Sequence, residues 1–244
     1  LSVVEIIGDE KKVESFLQGQ ITSDINMVSN ESFQLSSICN QKGTVMADFL
    51  IGISDKKFKI IINYELVDIF IDELTPFAKF FGVSFKETHN HVCASIESSP
   101  FSKRVFLKNS DFALSVTIKN EIKSIDKSIS KEEWSIANMI LGNFYLSKDD
   151  VGNYRPLEIN YDKHRVSFSK GCFRGQEIVA RMKYLGVDRR KFCTVISKKE
   201  IQVNKDLKML GEPLRLQDNF VCLCIIKKDF LEIFKRENPS ITII

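Results

Sequence analysis

The sequence is poor in the features that mark specialised classes of protein. No run of eighteen apolar residues occurs, so an ordinary membrane-spanning helix is absent and we expect no membrane partner. The chain has only three histidines and no C-x-x-C pair, and no histidine stands at zinc-finger spacing from a cysteine. It also has no internal repeat and no low-complexity stretch. These absences argue against membrane, zinc-finger and repeat proteins, and we predict no metal site.

Cysteine is sparse, and its spacing does not indicate a disulfide framework. A lysine-rich chain of 244 residues is unusual for a disulfide-stapled secreted protein, so we expect reduced thiols and a cytoplasmic location. Two of the thiols lie in the apolar run 220–226, where core filling explains them better than metal binding does. The six positions are Cys39, Cys93, Cys172, Cys193, Cys222 and Cys224.

The charge of the chain is nearly balanced overall but unbalanced locally. A net charge of +3 is too small to indicate nucleic-acid binding by the whole surface. Between residues 170 and 191, seven basic side chains stand against two acidic ones, a local charge of +5. An anionic partner is one interpretation, and an ordinary solvated basic face is the other. The basic residues are Lys170, Arg174, Arg181, Lys183, Arg189, Arg190 and Lys191, and the acidic ones are Glu177 and Asp188.

Hydrophobic periodicity and turn signals predict a mixture of helices and antiparallel strands. Asp9 is suited to cap a first helix, and Ser130 opens a capping box before a helix over 131–141. Another helical pattern over 64–81 is interrupted at Pro76, as a kink or as two short helices. We therefore predict an α+β fold. The predicted strands are 2–7, 32–39, 44–53, 57–62, 83–87, 92–96, 105–107, 112–118, 192–196, 201–203, 207–216 and 221–226.

The stretch 170–181 carries the densest chemical signal in the chain. Two glycines flank a short basic loop with one thiol, and a helical pattern begins at or just before Gln176. Cys172 thus lies near a positive helix end, between the cations Lys170 and Arg174. Both features favour a thiolate if the loop is exposed. The alternative is a buried cysteine that acts as a small hydrophobe.

The same stretch resembles the K-G-C-[YF]-x-G-Q-E-x-V-A-R motif of the YgfZ family. That family is a branch of the folate-binding superfamily that includes the glycine-cleavage aminomethyltransferases. Three further stretches resemble motifs of the family: residues 16–24 match F-L-Q-G-Q-x-T-x-D, residues 39–43 match C-[ND]-x-K-G, and residues 156–162 match P-x-E-x-N-x-D. The resemblance covers essentially the whole chain and is weakest after about Phe192.

The resemblance implies a folate-binding aminomethyltransferase-like fold, in which interleaved α/β subdomains surround a central pocket. It places this domain at 1–188, with an inserted ferredoxin-like subdomain at about 50–125. A short or truncated C-terminal β-barrel-like unit is expected at 189–244. The linker between the two units is predicted over 186–190.

The resemblance assigns the chemistry to the cysteine loop, residues 170–175. Cys172 would be the working thiol, as a nucleophile or as a transient ligand of sulfur or of an iron–sulfur cluster. Lys170 and Arg174 would favour its ionised form, and the following helix would position it. The residues expected to shape this loop are Gly171, Gly175, Gln176, Glu177 and Arg181.

A second group of residues is expected to contact a tetrahydrofolate. The only tryptophan, Trp134, is either a core anchor or a stacking surface for a flat pterin ring. Where the superfamily commonly has a pterin-binding glutamate, this chain has Ile140. An aliphatic side chain cannot accept hydrogen bonds, so weakened folate binding is expected. The residues assigned to folate are Trp134, Gln20, Asp24 and Glu158.

By resemblance, the function is assistance in assembling or repairing iron–sulfur clusters in client enzymes, some of which modify tRNA. The protein would be an accessory factor more than a true enzyme. The alternative is a tetrahydrofolate-dependent aminomethyltransferase. Such enzymes carry an acidic pair where this chain has Ala47 and Asp48, and the reaction needs a positioned acid or base. A third interpretation is a tRNA-binding or other RNA-binding module that uses residues 170–191, where the aromatic residues are only Phe173 and Tyr184.

Overall fold

The computed structural model describes residues 1–30, 32–121, 129–186 and 189–244, and these ranges form three antiparallel sheets and several helices. The predicted α+β composition is confirmed. Within these ranges, no helix has the length and apolar character needed to cross a membrane. The helices are α1 (Glu10–Gln20), α2 (Val67–Phe81), α3 (Lys131–Ile140), α4 (Tyr161–His164), α5 (Gln176–Leu185) and α6 (Lys228–Glu237). The strands are β1 (Ser2–Ile7), β2 (Gln34–Cys39), β3 (Val45–Ser54), β4 (Lys57–Ile62), β5 (Ser84–Thr88), β6 (His91–Ser98), β7 (Val105–Lys108), β8 (Phe112–Lys119), β9 (Arg190–Ser197), β10 (Leu207–Leu216), β11 (Asn219–Lys227) and β12 (Thr242–Ile243).

The first sheet has the strand order β2–β3–β4–β1–β5 and carries the main core. Helices α1 and α2 pack on one of its faces, because each helix presents an apolar stripe to the sheet. Phe16 and Leu17 of α1 are fully buried there, as are Phe70 and Leu74 of α2. Asp9 caps α1 as predicted, since its Oδ1 accepts a hydrogen bond from the backbone N–H of Lys12 at 3.2 Å.

The second sheet has the order β6–β8–β7 and packs against the opposite face of the first. Successive side chains of a strand point to opposite faces, so Val3 and Ile61 point away from α1 and α2. They join Leu107 of β7 and Val116 of β8 in a smaller apolar cluster. The half-buried ring of Trp134 packs against this cluster from α3.

The C-terminal unit is a sheet of order β10–β11–β9–β12 with α6 on one face. The other face presents Val221 and Leu223 of β11 to the main core. Cys222 and Cys224 alternate with them and are buried against Phe234 of α6. The two thiols therefore fill the core, as predicted. The barrel-like unit expected at 189–244 is thus a four-stranded sheet with one helix.

Two secondary-structure predictions are wrong, and one element is missing from them. Pro76 does not interrupt α2, because the helix keeps its buried face and loses only one backbone hydrogen bond at the proline. Residues 201–203 form no strand, and Ile201 is buried against the third sheet instead. Helix α6 is not predicted, although Phe230 and Phe234 have helical spacing.

The domain boundaries stay a prediction. Residue 50 lies inside β3 of the first sheet, and the separate second sheet begins with β6 at His91. The linker predicted over 186–190 includes residues 187 and 188, which lie outside the described ranges.

A buried ion pair joins the first sheet to the segment after α4. Arg165 Nη2 lies 3.2 Å from Asp48 Oδ2, and both side chains are 1% exposed. Burial raises the pKa of Asp48, and the nearby Arg165 guanidinium opposes that rise. The guanidinium also donates to the carbonyl oxygens of Ser36 at 3.1 Å and Phe49 at 3.2 Å. The pair therefore fixes the chain that leads into the cysteine loop against β2 and β3.

Replacement of Arg165 by methionine is expected to lower the free energy of unfolding by about 3–5 kcal/mol, because it leaves the Asp48 carboxylate buried without its counter-charge. Adding Asp48→Asn to that variant removes the charge and should recover part of the loss. Urea unfolding of the wild type, the single variant and the double variant measures both effects. A single variant as stable as the wild type would contradict this role of the pair.

Candidate functional site

The cysteine loop presents its thiol at the surface. Cys172 and Gly171 are exposed, whereas Phe173 turns inward and is 6% exposed in the main core. Helix α5 begins four residues after the thiol, so the loop lies at the positive end of the helix. The interpretation of Cys172 as a buried hydrophobe is therefore wrong. The opposite interpretation, an accessible thiol at a helix N-terminus, agrees with the structure.

Lys170 anchors the start of the loop. Its Nζ donates hydrogen bonds to the carbonyl oxygens of Ile21 at 2.8 Å and Ser23 at 2.9 Å. The residue is only 8% exposed. Burial lowers the pKa of Lys170 to about 8, and the carboxylate of Asp24 partly offsets that fall. These contacts direct the ammonium to residues 21–24, which we call the first loop, and its predicted effect on the thiol stays a prediction.

Arg174 anchors the end of the loop to α2. Its backbone N–H donates to the carbonyl oxygen of Gly19 at 3.1 Å. Its guanidinium donates to the carbonyl oxygen of Glu73 at 2.9 Å and pairs with the carboxylate of the same residue. The guanidinium also lies 5.1 Å from the centre of the Phe77 ring. The charge of Arg174 is thus engaged by α2, and its predicted effect on the thiol also stays untested.

Gly175 is the point of closest approach between α5 and the turn after β2. It adopts φ +81°, which favours glycine, and a Cβ built there would lie 2.4 Å from the carbonyl oxygen of Asn40. The turn reciprocates at Gly43, with φ +71°, where a Cβ would lie 2.9 Å from Cβ of Ile178. The motif glycines of residues 39–43 and 170–181 therefore serve a single backbone contact.

Three of the sequence motifs thus converge on the cysteine loop. Residues 16–24 supply the acceptors for Lys170 and Arg174, and residues 39–43 supply the turn against Gly175. Gln20 ends α1 beside these acceptors, and its Oε1 is buried without a hydrogen-bond partner among the described residues. Asp24 accepts hydrogen bonds from Gln18 Nε2 and from the backbone N–H of Asn26, each at 3.0 Å. Its position is set by the first loop itself.

The other two residues assigned to folate lie elsewhere. Trp134 is half-buried on the second sheet, with its ring centre 6.1 Å from that of Phe106. Glu158 accepts a hydrogen bond from the backbone N–H of Arg155 at 2.8 Å, which caps its own short turn. The structure therefore does not gather the four predicted folate residues into one place.

A separate open cleft of about 1110 Å³ lies near the other end of α5. Ile140 and Leu141 at the end of α3 line it, and so does Glu158. Met182 of α5 and Phe192 of β9 add further apolar surface. The position at which the superfamily would carry its pterin-binding glutamate thus faces a cavity of ligand size.

The first turn of α5 contributes less to the site than the sequence predicts. Glu177 and Arg181 form an ion pair of 3.0 Å, but their side chains are 81% and 63% exposed. A pair this exposed adds little stability. Gln176 begins the helix, and its N–H donates to the carbonyl oxygen of Phe173 at 3.0 Å. These residues complete the helix start without binding the cysteine loop to another element.

The remaining thiols differ from Cys172 in their surroundings. Cys93 is half-buried, and the other four are buried. Burial raises the pKa of Cys39 to about 12 and that of Cys193 to about 11, which disfavours their thiolates. Cys172 is therefore the thiol that a reagent in solution can reach most easily.

Glu73 and Phe77 belong to the site but were not predicted. They lie on α2, about one hundred residues before the loop in sequence, where periodicity shows only an amphipathic helix. No local motif marks a carboxylate on such a helix, so only the folded structure reveals this contact.

The two glycines of the loop provide a matched pair of substitutions. Gly175→Ala is expected to lower the free energy of unfolding by about 1–3 kcal/mol, because it strains the backbone and drives Cβ into the Asn40 carbonyl oxygen. Gly171→Ala should stay within about 0.5 kcal/mol of the wild type, since nothing lies within 4 Å of its Cβ position. Denaturant unfolding measures both. Equal effects of the two substitutions would show that the close contact at Gly175 does not hold the loop.

Comparison with known proteins gives relatives over most of the chain. No protein-family model matches it. A tRNA-modifying protein YgfZ from Vibrio atlanticus (strain LGP32) is 28% identical over 217 residues, which cover 80% of this chain and 67% of that protein. A protein of the same name from Buchnera aphidicola subsp. Schizaphis graminum (strain Sg) is 28% identical over 228 residues, covering 79% and 70% of the two chains.

Among solved structures, the chain resembles the glycine cleavage system aminomethyltransferase T from Bartonella henselae. The TM-score is 0.67 over 94% of this chain and 76% of that chain, at 11% sequence identity. At this identity the likeness establishes the fold alone, and it confirms the predicted aminomethyltransferase-like fold. Together with the relatives that match over most of the sequence, it shows that the chain belongs to the YgfZ family.

Proposed function

We propose that this protein is an accessory factor that assists the assembly or repair of iron–sulfur clusters in client enzymes, among them enzymes that modify tRNA. The observation that carries the proposal is the exposed Cys172 on a loop that is anchored at both ends. The name of the relatives, tRNA-modifying protein YgfZ, supports the link to tRNA. We place the activity in the cytoplasm, where thiols stay reduced.

The chemistry proposed for Cys172 is that of a thiolate. A thiolate can attack an electrophilic sulfur or ligate iron, so the residue could carry sulfur or hold a cluster that is passed to a client. The cluster would be cargo, since one cysteine provides a single ligand. Lys170 and Arg174 contribute by fixing the loop, which keeps the thiol in one place for a docking partner.

The alternative, aminomethyl transfer, receives less support from the arrangement of acids. Of the two positions that carry acids in the aminomethyltransferases, one is Ala47, which is fully buried in β3. The other is Asp48, which is 2% exposed and paired with Arg165 inside the core. A general acid or base must reach the substrate, and this carboxylate is committed to an ion pair.

Replacement of Cys172 by serine is expected to abolish the activity and to leave the fold intact. In a bacterial strain that lacks its own YgfZ, the variant should leave thiolated tRNA bases and iron–sulfur enzyme activities at the level of the deletion strain. Its free energy of unfolding should change by less than about 0.5 kcal/mol, because the side chain is exposed.

Cys93→Ser provides the control, because Cys93 is half-buried on the second sheet and takes no part in the loop. It should restore both activities. Full complementation by Cys172→Ser would refute the proposal, and a large loss of stability in that variant would reassign the cysteine to a structural role.

Binding of tetrahydrofolate is a second and separable proposal. The observation that favours it is that Ile140 and Glu158 line the same cleft of about 1110 Å³. The carboxylate of Glu158 could take over the pairing with a pterin that Ile140 cannot provide. Folate would then bind without the glutamate that the superfamily usually supplies, so weak binding is expected.

Glu158→Gln is expected to weaken tetrahydrofolate binding about 10-fold, because the amide cannot accept the paired hydrogen bonds of the pterin ring but can still cap its own turn. Isothermal titration calorimetry measures the affinity. Glu177→Gln, an exposed carboxylate outside the cleft, is the matched control and should bind like the wild type. Absence of binding at millimolar tetrahydrofolate would show that this chain does not use the cofactor.

A further inference from the structure

The rim of the cleft near the C-terminal end of α5 is strongly basic. Seven Lys and Arg side chains line the cleft, against the two carboxylates of Glu158 and Asp162, a net charge of +5. This charge exceeds the net charge of the entire chain, +3. The basic stretch noted in the sequence therefore contributes to a concave surface instead of an ordinary solvated face.

The cations of the rim come from segments that are far apart in sequence. Lys108 follows from β7, Lys163 from α4, and Arg189, Arg190 and Lys191 from the start of β9. Lys163 and the three residues of β9 and its approach are exposed. Like charges gathered around one cavity repel each other, so the arrangement is favourable when an anion neutralises it.

The floor of the same cleft is apolar. Leu141, Leu157, Met182 and Phe192 line it, and each is half-buried. A simple inorganic anion would use the rim and leave this floor in contact with water. The cleft instead fits a ligand that combines several negative charges with flat or apolar faces.

An exposed aromatic residue extends this surface. Tyr184 follows Lys183 of the rim and is 68% exposed. Its ring packs edge-on against Phe168 at 6.1 Å, and Lys183 Nζ lies 5.2 Å from the centre of the Phe168 ring. An exposed ring held beside cations is the usual platform on which proteins stack the bases of single-stranded nucleic acid.

We propose that this cleft binds a single-stranded segment of RNA, with phosphates on the basic rim and bases against the apolar floor and Tyr184. A duplex keeps its bases stacked inside and would contact only the rim. The choice of RNA over DNA rests on the proposed function, in which clients modify tRNA. The proposal assigns the cleft at one end of α5 to RNA and leaves the thiol at the other end free to act on a protein client.

Fluorescence anisotropy with a labelled single-stranded RNA and with a tRNA transcript tests the proposal in the full chain. If Lys163, Arg189, Arg190 and Lys191 each contact one phosphate, the slope of log affinity against log salt is about −3. Affinity should then fall about 50-fold between 50 and 200 mM salt. The double variant Arg190→Glu/Lys191→Glu should bind at least about 10-fold more weakly at 50 mM salt, with a shallower slope.

The matched control reverses two lysines at the opposite end of the same strand. Lys198 and Lys199 follow β9, are exposed and do not line the cleft. Lys198→Glu/Lys199→Glu makes the same change in net charge and should bind RNA within about 2-fold of the wild type. Equal losses in the two double variants, or no binding of RNA at 50 mM salt, would overturn the proposal. A single-stranded DNA of the same sequence that binds as tightly would overturn the choice of RNA.

This test is independent of the thiol. Cys172→Ser should bind RNA like the wild type, and the cleft variants should keep the wild-type rate of Cys172 alkylation. If Cys172→Ser restores activity in cells while the cleft variants lose RNA, the proposed function fails and the RNA site stands. Loss of RNA binding in Cys172→Ser would overturn the separation of the two sites.

Discussion

The burial of one ammonium group holds the functional loop in place. Lys170 reaches into the first loop, where the carbonyl oxygens of Ile21 and Ser23 accept its protons. Its pKa falls to about 8 because burial disfavours the charge, so the two carbonyls and Asp24 have to compensate for lost water. A lysine that left this position would expose the acceptors and release the cysteine loop. The position of Cys172 therefore depends on a contact whose partners lie about 150 residues apart in the chain.

Helix α5 separates two surfaces of different character. The thiol and its glycine contacts lie before its first turn, and the basic cleft begins at its last turns. A helix of ten residues is about 15 Å long, so the two surfaces are close yet do not overlap. The residues between them are packed by Val179, which is fully buried. A rigid spacer of this kind would let one molecule hold RNA while its thiol faces a different partner.

The sequence predicted the fold class, the exposed thiol and the glycine-dependent loop, because short-range motifs and periodicity determine each of them. It could not predict which groups Lys170 and Arg174 contact, since residues two positions from Cys172 point to the first loop and to α2. Glu73 was invisible for the same reason. Trp134 was assigned to a ligand by analogy, but its ring completes the cluster beneath the second sheet. Pro76 was taken as a helix breaker, and the packing of α2 outweighs that local preference.

The fold is shared with an aminomethyltransferase, whereas the acids expected for that reaction are missing or buried. What the chain keeps at the surface is a thiol, and the account depends on its being accessible. Alkylation of the native protein by iodoacetamide, followed by peptide mass spectrometry, tests this most directly. We predict that Cys172 reacts at least as fast as a thiol in an unfolded peptide, while Cys39 and Cys193 react only after unfolding. Protection of Cys172 to the same degree as Cys39 would contradict the account.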